Sequence, residues 1–230
     1  MDSETAELPK NLKERLKASY DAIAPTYNEW TIPHSQKRMK YLDKALEYLK
    51  LADKTENPAF LELGCGCGLP VTKKLLTTHP GAKVIANDLS DSQLSLVRGN
   101  LIAGPWDEAA SRLELVPGDM NSLTFPSESF DLIVAFYSII HLPRLEQTAL
   151  LERITQWLKP GGYFVGNFSG EEMESVVMEK WLDEKGWMFW SGWGKEKTLE
   201  EMKKAGLEVL DADVEEDEVD ATFLWTIAKR

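Results

Sequence analysis

A run of glycines and three acids carry the most specific chemistry in this chain. Leu61-Glu62-Leu63-Gly64-Cys65-Gly66-Cys67-Gly68 is a short, mostly apolar run that opens straight into a glycine turn. Glycines at such a point let the backbone take unusual dihedrals and let a ligand approach the main chain closely. Asp88 stands 20 residues beyond Gly68, at the end of the next apolar run. An acid there can accept both ribose hydroxyls of a nucleoside. Asp119 follows a third run, in Pro117-Gly118-Asp119-Met120. A carboxylate there can accept an adenine exocyclic amine, while the next backbone N–H donates to the ring. Blander readings stand beside these: a tight turn without a ligand, a helix N-terminal acid for Asp88 and a turn aspartate for Asp119.

Other candidates are less specific. His141, in Tyr137-Ser138-Ile139-Ile140-His141, is the candidate general base, because an unperturbed imidazole titrates near ~6.5. The alternative is a histidine of the pocket wall. Four of the eight tryptophans fall at 181, 187, 190 and 193. Trp187, Trp190 and Trp193 are the candidate substrate residues. Clustered aromatics can line a cavity for a flat or greasy molecule, cage a methylated ammonium, or form a satellite core. Cys65 and Cys67, the only cysteines, are too close for an unstrained disulfide. Two thiols also fall short of the usual four zinc ligands. His34 and His79 share no ligand spacing with them, so no metal is expected. The cysteines read as reduced, in a cytoplasmic protein.

Elements must hold these residues in place. The first 58 residues read as helical: Leu12–Ile23, stopped ahead of Pro25, then His34–Leu51 with Met39, Leu42, Leu46 and Leu49 on one face. Strands are predicted at Ala59–Gly64, Lys83–Asp88, Leu113–Pro117, Phe130–Tyr137, Tyr163–Phe168, Leu207–Ala212 and Ala221–Ala228. Helices are predicted at Leu69–His79, Ser90–Ala103, Arg144–Leu158 and Thr198–Ala205, with Ser90 as an N-cap. Strand–helix alternation of this kind means a parallel sheet covered on both faces.

The 230 residues are 43% apolar and carry a net charge of −12. A chain of this length buries roughly 70–75% of its unfolded surface and needs no metal or disulfide staple. The charge argues against a nucleic-acid surface and against an anionic membrane. Residues 211–220 hold seven acids and no base. They read as a solvated loop between the last two strands, with a partner-binding patch as the sharper alternative. Met1-Asp2-Ser3-Glu4 shows no signal-peptide pattern, and Leu132–Pro143 is too short to span a bilayer.

The glycines run GxGxG, not the GxGxxG of dinucleotide folds, which tells against a nicotinamide-dependent oxidoreductase. At this point the chain resembles the class I S-adenosylmethionine-dependent methyltransferases. The likeness rests on Glu62 to Gly68, Asn87-Asp88-Leu89-Ser90, Gly118-Asp119-Met120, Phe130-Asp131-Leu132-Ile133-Val134 and Leu158-Lys159-Pro160-Gly161-Gly162. It implies a Rossmann-like, doubly wound α/β sheet of seven strands, the last antiparallel. It also implies an N-terminal helical lid (1–58) on a cofactor-binding core (59–230). By the resemblance, Glu62, Gly64, Cys65 and Gly66 surround the methionine moiety. Asp88 and Leu89 hold the ribose, Asp119 and Met120 the adenine, and Phe136 and Tyr137 close the other side. Tyr20-Asp21-Ala22-Ile23-Ala24-Pro25-Thr26-Tyr27 resembles the YDxxAxxY lead-in of many small-molecule methyltransferases, with Tyr20 and Tyr27 covering the cofactor. Ser138 joins the tryptophans on the substrate side. The fourth strand lacks the Asn/Asp-Pro-Pro-aromatic motif of enzymes that methylate bases, a second argument against nucleic acid. The expected partner is a small, aromatic or apolar molecule, and the expected state a monomer or homodimer. The rival reading keeps the fold and cofactor site for binding, regulation or non-methylating catalysis.

Overall fold

Phe130–Ala135 (β4) is buried at every position, as a strand covered on both faces must be. It pairs in parallel with Ala59–Leu63 (β1) and Leu158–Ser169 (β5). A computed structural model describes residues 8–52, 57–103, 111–217 and 221–230. Beyond β1 lie Lys83–Asp88 (β2) and Leu113–Pro117 (β3), also parallel. Thr222–Lys229 (β9) runs antiparallel to β5, and Glu208–Glu216 (β8) pairs with its far side. The order is β3-β2-β1-β4-β5-β9-β8, seven strands with β9 reversed. The chain changes direction across the sheet between β1 and β4. The crevice beyond their carboxyl ends is where such sheets bind ligands.

Alternation along the strands sorts side chains to two cores. Phe60, Leu132 and Val134 face Gln36–Ala52 (α2), Val71–Thr78 (α3) and Asp91–Val97 (α4), through Leu42, Leu46, Leu75 and Leu94 among others. Leu61 and Ile133 face Arg144–Trp157 (α5) and Gly194–Lys204 (α6), through Leu150, Ile154 and Met202. Ser90 caps α4 as expected, its hydroxyl accepting the Gln93 amide at 3.1 Å. That helix is shorter than expected, giving way to a wider turn at Arg98–Ile102.

Three expectations need correction. The first helix does not stop ahead of Pro25. Leu12–Thr31 (α1) carries the proline inside it. A helical proline forfeits a hydrogen bond and crowds the carbonyl four residues back, costing ~3 kcal/mol. Packing on both sides offsets this: Ile23 and Ala24 before it and Asn28 and Thr31 beyond it are buried. Asn28 also donates to the Gln93 side chain at 3.0 Å. Second, the strand expected at Tyr163–Phe168 starts earlier, at Leu158, and takes in Pro160-Gly161-Gly162. α5 ends just before it, at Trp157.

Third, the acidic run is not a loop where the structure describes it. Asp211 to Glu216 belong to β8. Residues 218–220 lie outside the described set. The acids on β8 meet the lysines of α2: Lys40 reaches Glu215 at 2.6 Å, Lys37 reaches it at 3.1 Å, and Lys44 pairs with Asp211. Tyr41 donates to Glu215 at 2.7 Å while its ring stacks on Trp225 at 5.0 Å. Local sequence shows seven acids without a base because the bases lie about 170 residues earlier.

The sequence reading also missed a two-stranded antiparallel sheet, Glu172–Glu179 (β6) with Trp187–Trp193 (β7). It stands apart from the main sheet and packs against α1. Among the described residues, no helix is long and apolar enough to cross a membrane.

Candidate active site

The glycine turn leaves β1 at the crevice. Gly64 has φ +76°, and a Cβ there would lie 2.4 Å from Ser138 Cβ, so only glycine fits. Ser138 seals the other side of that contact, its hydroxyl donating to the Leu63 carbonyl at 2.8 Å. Beneath the turn, Glu62 is buried and accepts the Thr72 hydroxyl at 2.5 Å. Desolvation by burial pushes its carboxyl up to about 8 against that hydrogen bond. Burial likewise raises the thiols of Cys65 and Cys67. Glu62 and Cys65 lie beneath the turn and line neither of the two cavities that meet here.

Asp88 ends β2. One oxygen accepts the Gly66 amide at 2.8 Å and the other the Ser90 amide at 2.9 Å. Burial lifts this carboxyl to about 6, while the two amides pull it the other way. Each oxygen keeps a lone pair for a further donor. Asp119 follows β3 and accepts the Asn121 amide at 3.0 Å. Lys13 of α1 reaches both Asp119 (3.4 Å) and Glu146 (2.7 Å).

Tyr137, just past β4, holds a left-handed φ of +52°, a strained choice for a bulky residue. Its amide donates to Asn167 Oδ1 at 2.7 Å and its hydroxyl to Asp217. His141 Nδ1 lies 2.8 Å from the Phe189 carbonyl, and Nε2 lies 2.9 Å from Tyr20 Oη. A carbonyl only accepts, so Nδ1 carries the proton and Nε2 accepts from Tyr20. Burial lowers His141 to about 4, which leaves it neutral near neutral pH.

Two cavities meet here. The narrower, about 80 Å³, is lined by Gly64, Gly66, Asp88, Leu89, Asp119, Met120, Phe136 and Ser138, with Lys13 and Leu16 of α1 over it. The larger, about 470 Å³, is lined by Trp30, Trp181, Trp190, Met173 and Met178 among others. Tyr20, Tyr27, Tyr137 and His141 line both. Of the three expected substrate tryptophans, only Trp190 lines the larger cavity. Period-two alternation along β7 turns Trp187 and Trp193 to the other face. There Trp187 packs in the cluster with Leu12, Leu16 and Ile23, and Trp193 donates to the Arg144 carbonyl at 3.1 Å. Ser138 lies on the narrower side.

Sequence reasoning missed Lys13, Trp30, Gln93 and Arg38. Trp181 was in view within the tryptophan cluster; for Lys13 and Gln93 no local signal exists. Gln93 lines the narrower cavity with its buried Nε2 unpartnered. Arg38 is a buried cation whose Nε also lacks a partner, although its Nη2 donates to the Thr31 carbonyl at 2.6 Å. Unused lone pairs on Asp88, an orphaned donor on Gln93 in the cavity wall and a cradle that a Cβ would fill are what a nucleoside bearing an amino-acid tail requires. The residues therefore fit S-adenosylmethionine.

Comparison with known proteins points the same way. Residues 60–162 match the methyltransferase domain family. A sterol 24-C-methyltransferase (ERG6B) of Gibberella zeae is 33% identical over 104 residues, 45% of this chain and 26% of that one. The chain matches about a quarter of the length of the first curated relatives. Among solved structures, the [4+2]-cyclase SpnF superposes with a TM-score of 0.72 at 17% identity, over 98% of this chain and 99% of that one. The magnesium protoporphyrin IX methyltransferase ChlM of Synechocystis PCC 6803, solved with bound SAM, gives 0.68 at 13%, over 98% and 99%. Residues 60–162 thus match a methyltransferase domain, and the fold is the one these solved structures share.

Proposed function

We propose that this chain transfers a methyl group from S-adenosylmethionine to a small, aromatic or largely apolar molecule by in-line displacement. The shared wall carries the reading: Tyr20, Tyr27, Tyr137 and His141 line both cavities, so an acceptor in the larger meets the contents of the narrower across four side chains. The cofactor, when bound, supplies an electrophilic methyl on its sulfonium. The protein's part is to bind, align and keep water out. Asp88 takes the ribose hydroxyls, and Asp119 with the Met120 amide takes the adenine edge. Gly64 and Gly66 make room for the methionine part, and Gln93, in the wall of the narrower cavity, offers a donor to its polar end. The narrower cavity falls below the ~300–1,000 Å³ of ligand pockets. Lys13 and Leu16 of α1, which overlie that cavity, are the side chains a cofactor displaces on entering.

His141 acts as a positioning residue in this reading. Its neutral ring holds Tyr20, and through it α1, against the site. Isothermal titration with S-adenosylhomocysteine tests the cofactor site, and methyl transfer into a metabolite pool tests the reaction. Absence of binding overturns the proposal. A second reading, a catalyst that keeps the site without methylating, draws on the fold likeness to the [4+2]-cyclase. Stoichiometric binding with no transfer to any acceptor would favour it.

A further inference from the structure

The Tyr20–Tyr27 stretch of α1 contains an acid that the proposed function leaves unused. Asp21 reaches across to the start of α4. Its Oδ1 accepts the Ser90 hydroxyl at 2.7 Å and the Ser92 amide at 3.0 Å. Its Oδ2 takes Lys17 at 2.7 Å, and the same lysine reaches Asp91 at 2.7 Å. Ser90 is fully buried, and its own amide donates to Asp88 at 2.9 Å. A chain of hydrogen bonds therefore runs from α1 through Ser90 to the carboxylate that lines the narrower cavity. About two turns further along α1, Asn28 bonds Gln93 of α4 at 3.0 Å.

Pro25 is what makes this contact matter. It has no N–H to offer the Asp21 carbonyl four residues back, so α1 lacks a helical hydrogen bond at that turn. Asp21 and Asn28, on either side of the proline, tie the weakened turn to α4 instead. Tyr20, next to Asp21, bonds His141 at 2.9 Å and lines both cavities. We propose that Asp21 is a positioning residue of the cofactor site, fastening α1 to the Ser90–Ser92 segment so that Asp88 is aimed and Tyr20 stays in the shared wall. Its effect on cofactor affinity rests on the methyltransferase reading. The fastening of α1 does not.

Asp21 also leaves an electrostatic mark on the site. Tyr20, Tyr27, Glu62 and Cys65 all interact with the charge of Asp88, and burial raises each of them, which keeps the four neutral near pH ~6. Asp21 is ionised there. Burial raises its carboxyl, but hydrogen bonds from Lys17, Ser92 and Ser90 outweigh this and hold it below the ordinary carboxylate value. Burial lifts Asp88 to about 6, and the negative charge of Asp21 adds to that lift.

The test combines calorimetry of S-adenosylhomocysteine binding between pH ~5 and ~8 with amide hydrogen exchange of the unliganded full chain. Asp21→Ala removes two charge-assisted hydrogen bonds. It is expected to lower the affinity at least about tenfold at pH ~8 and to speed exchange over the Tyr20–Tyr27 stretch. Asp21→Asn keeps the size and one acceptor oxygen but not the charge. It should cost less affinity and move the pH midpoint of binding below that of the unsubstituted chain, a change that a purely structural tie would not produce. Lys17→Met leaves Oδ1 with both its donors, so its affinity should stay within about twofold. An Asp21→Ala affinity within about twofold of the unsubstituted chain overturns the proposal. So does an equal loss in Lys17→Met, which would assign the effect to the ion pair. Should Asp21→Ala fail to fold, the midpoint in Asp21→Asn decides, and one that does not move overturns the proposal. If the unsubstituted chain binds no S-adenosylhomocysteine while Asp21→Ala still speeds exchange, the methyltransferase reading fails and the fastening stands. If both chains bind it equally, the reverse holds.

Discussion

Glu62 and Asp88 at the glycine turn, and Asp211, Asp213 and Glu215 on β8, are the same two residue types under opposite conditions. At the turn the carboxyls are buried, and desolvation holds them up at about 8 and about 6. On β8 they meet lysines and tyrosines of α2, and hydrogen bonds from Lys40 and Tyr41 hold Glu215 down at about 2. The first pair opposes folding whenever it is ionised. The second set favours folding when ionised, and it also charges an edge strand that would otherwise invite another strand to pair. A carboxylate kept against its own desolvation needs a reason outside stability. For Asp88 that reason is a ligand offering hydroxyl donors.

The sharpest way to break this comparison is Asp88→Ala. It removes two hydrogen bonds to a charged acceptor, worth ~1.5–3 kcal/mol each, so S-adenosylhomocysteine affinity should drop at least about 100-fold. Calorimetry that finds unchanged affinity would separate Asp88 from the ligand.

Next in size is the pH dependence of that affinity. Asp88 titrates at about 6 and must be ionised to accept the hydroxyls. Binding should weaken by about tenfold between pH ~7 and ~5, and Asp88→Asn should abolish the dependence.

Glu62 concerns folding instead. Its folded value of about 8 lies above its ordinary 4.5, so the folded protein holds the proton more tightly than the unfolded chain does. The stabilisation is complete below 4.5 and is lost as pH rises through about 8. Melting temperature should therefore fall by several degrees between pH ~6.5 and ~8.5, above the range in which Asp88 titrates. Glu62→Gln, neutral throughout, should flatten that slope. A slope that survives the substitution places its cause elsewhere.

The β8 acids give the smallest effect and the opposite sign. Glu215 is depressed, so its contribution is present above its ordinary 4.5 and is lost as pH falls toward about 2. Its partners are partly exposed, and such pairs contribute ~0–1 kcal/mol. Glu215→Gln should lower the melting temperature by no more than about 4 °C near neutrality, and less in high salt. A larger loss would mean that these acids hold α2 more firmly than surface ion pairs can.

Much of the cofactor end was legible locally. The glycine turn, Asp88 and Asp119 sit next to the strands that deliver them, and an apolar run records a buried strand in its own composition. The acceptor end was legible only in part. The tryptophan cluster signalled aromatics, but sorting Trp190 from Trp187 and Trp193 required knowing that β7 is a strand and which face is open. Trp30 lay beyond reach because its place on α1 depends on the helix continuing through Pro25.

The sequence by itself determined the order of strands and helices that build the main sheet, the turn that only glycine can make and the acids at the strand ends. These follow from backbone dihedrals and side-chain periodicity, which are properties of neighbouring residues. The tertiary structure alone decided what each ionisable group does. Asp88 is lifted by burial under remote segments, His141 is kept neutral by burial, and the β8 acids are paired with lysines from the second helix. Desolvation and pairing sum over everything that surrounds a charge, and for these residues most of the surroundings come from far along the chain.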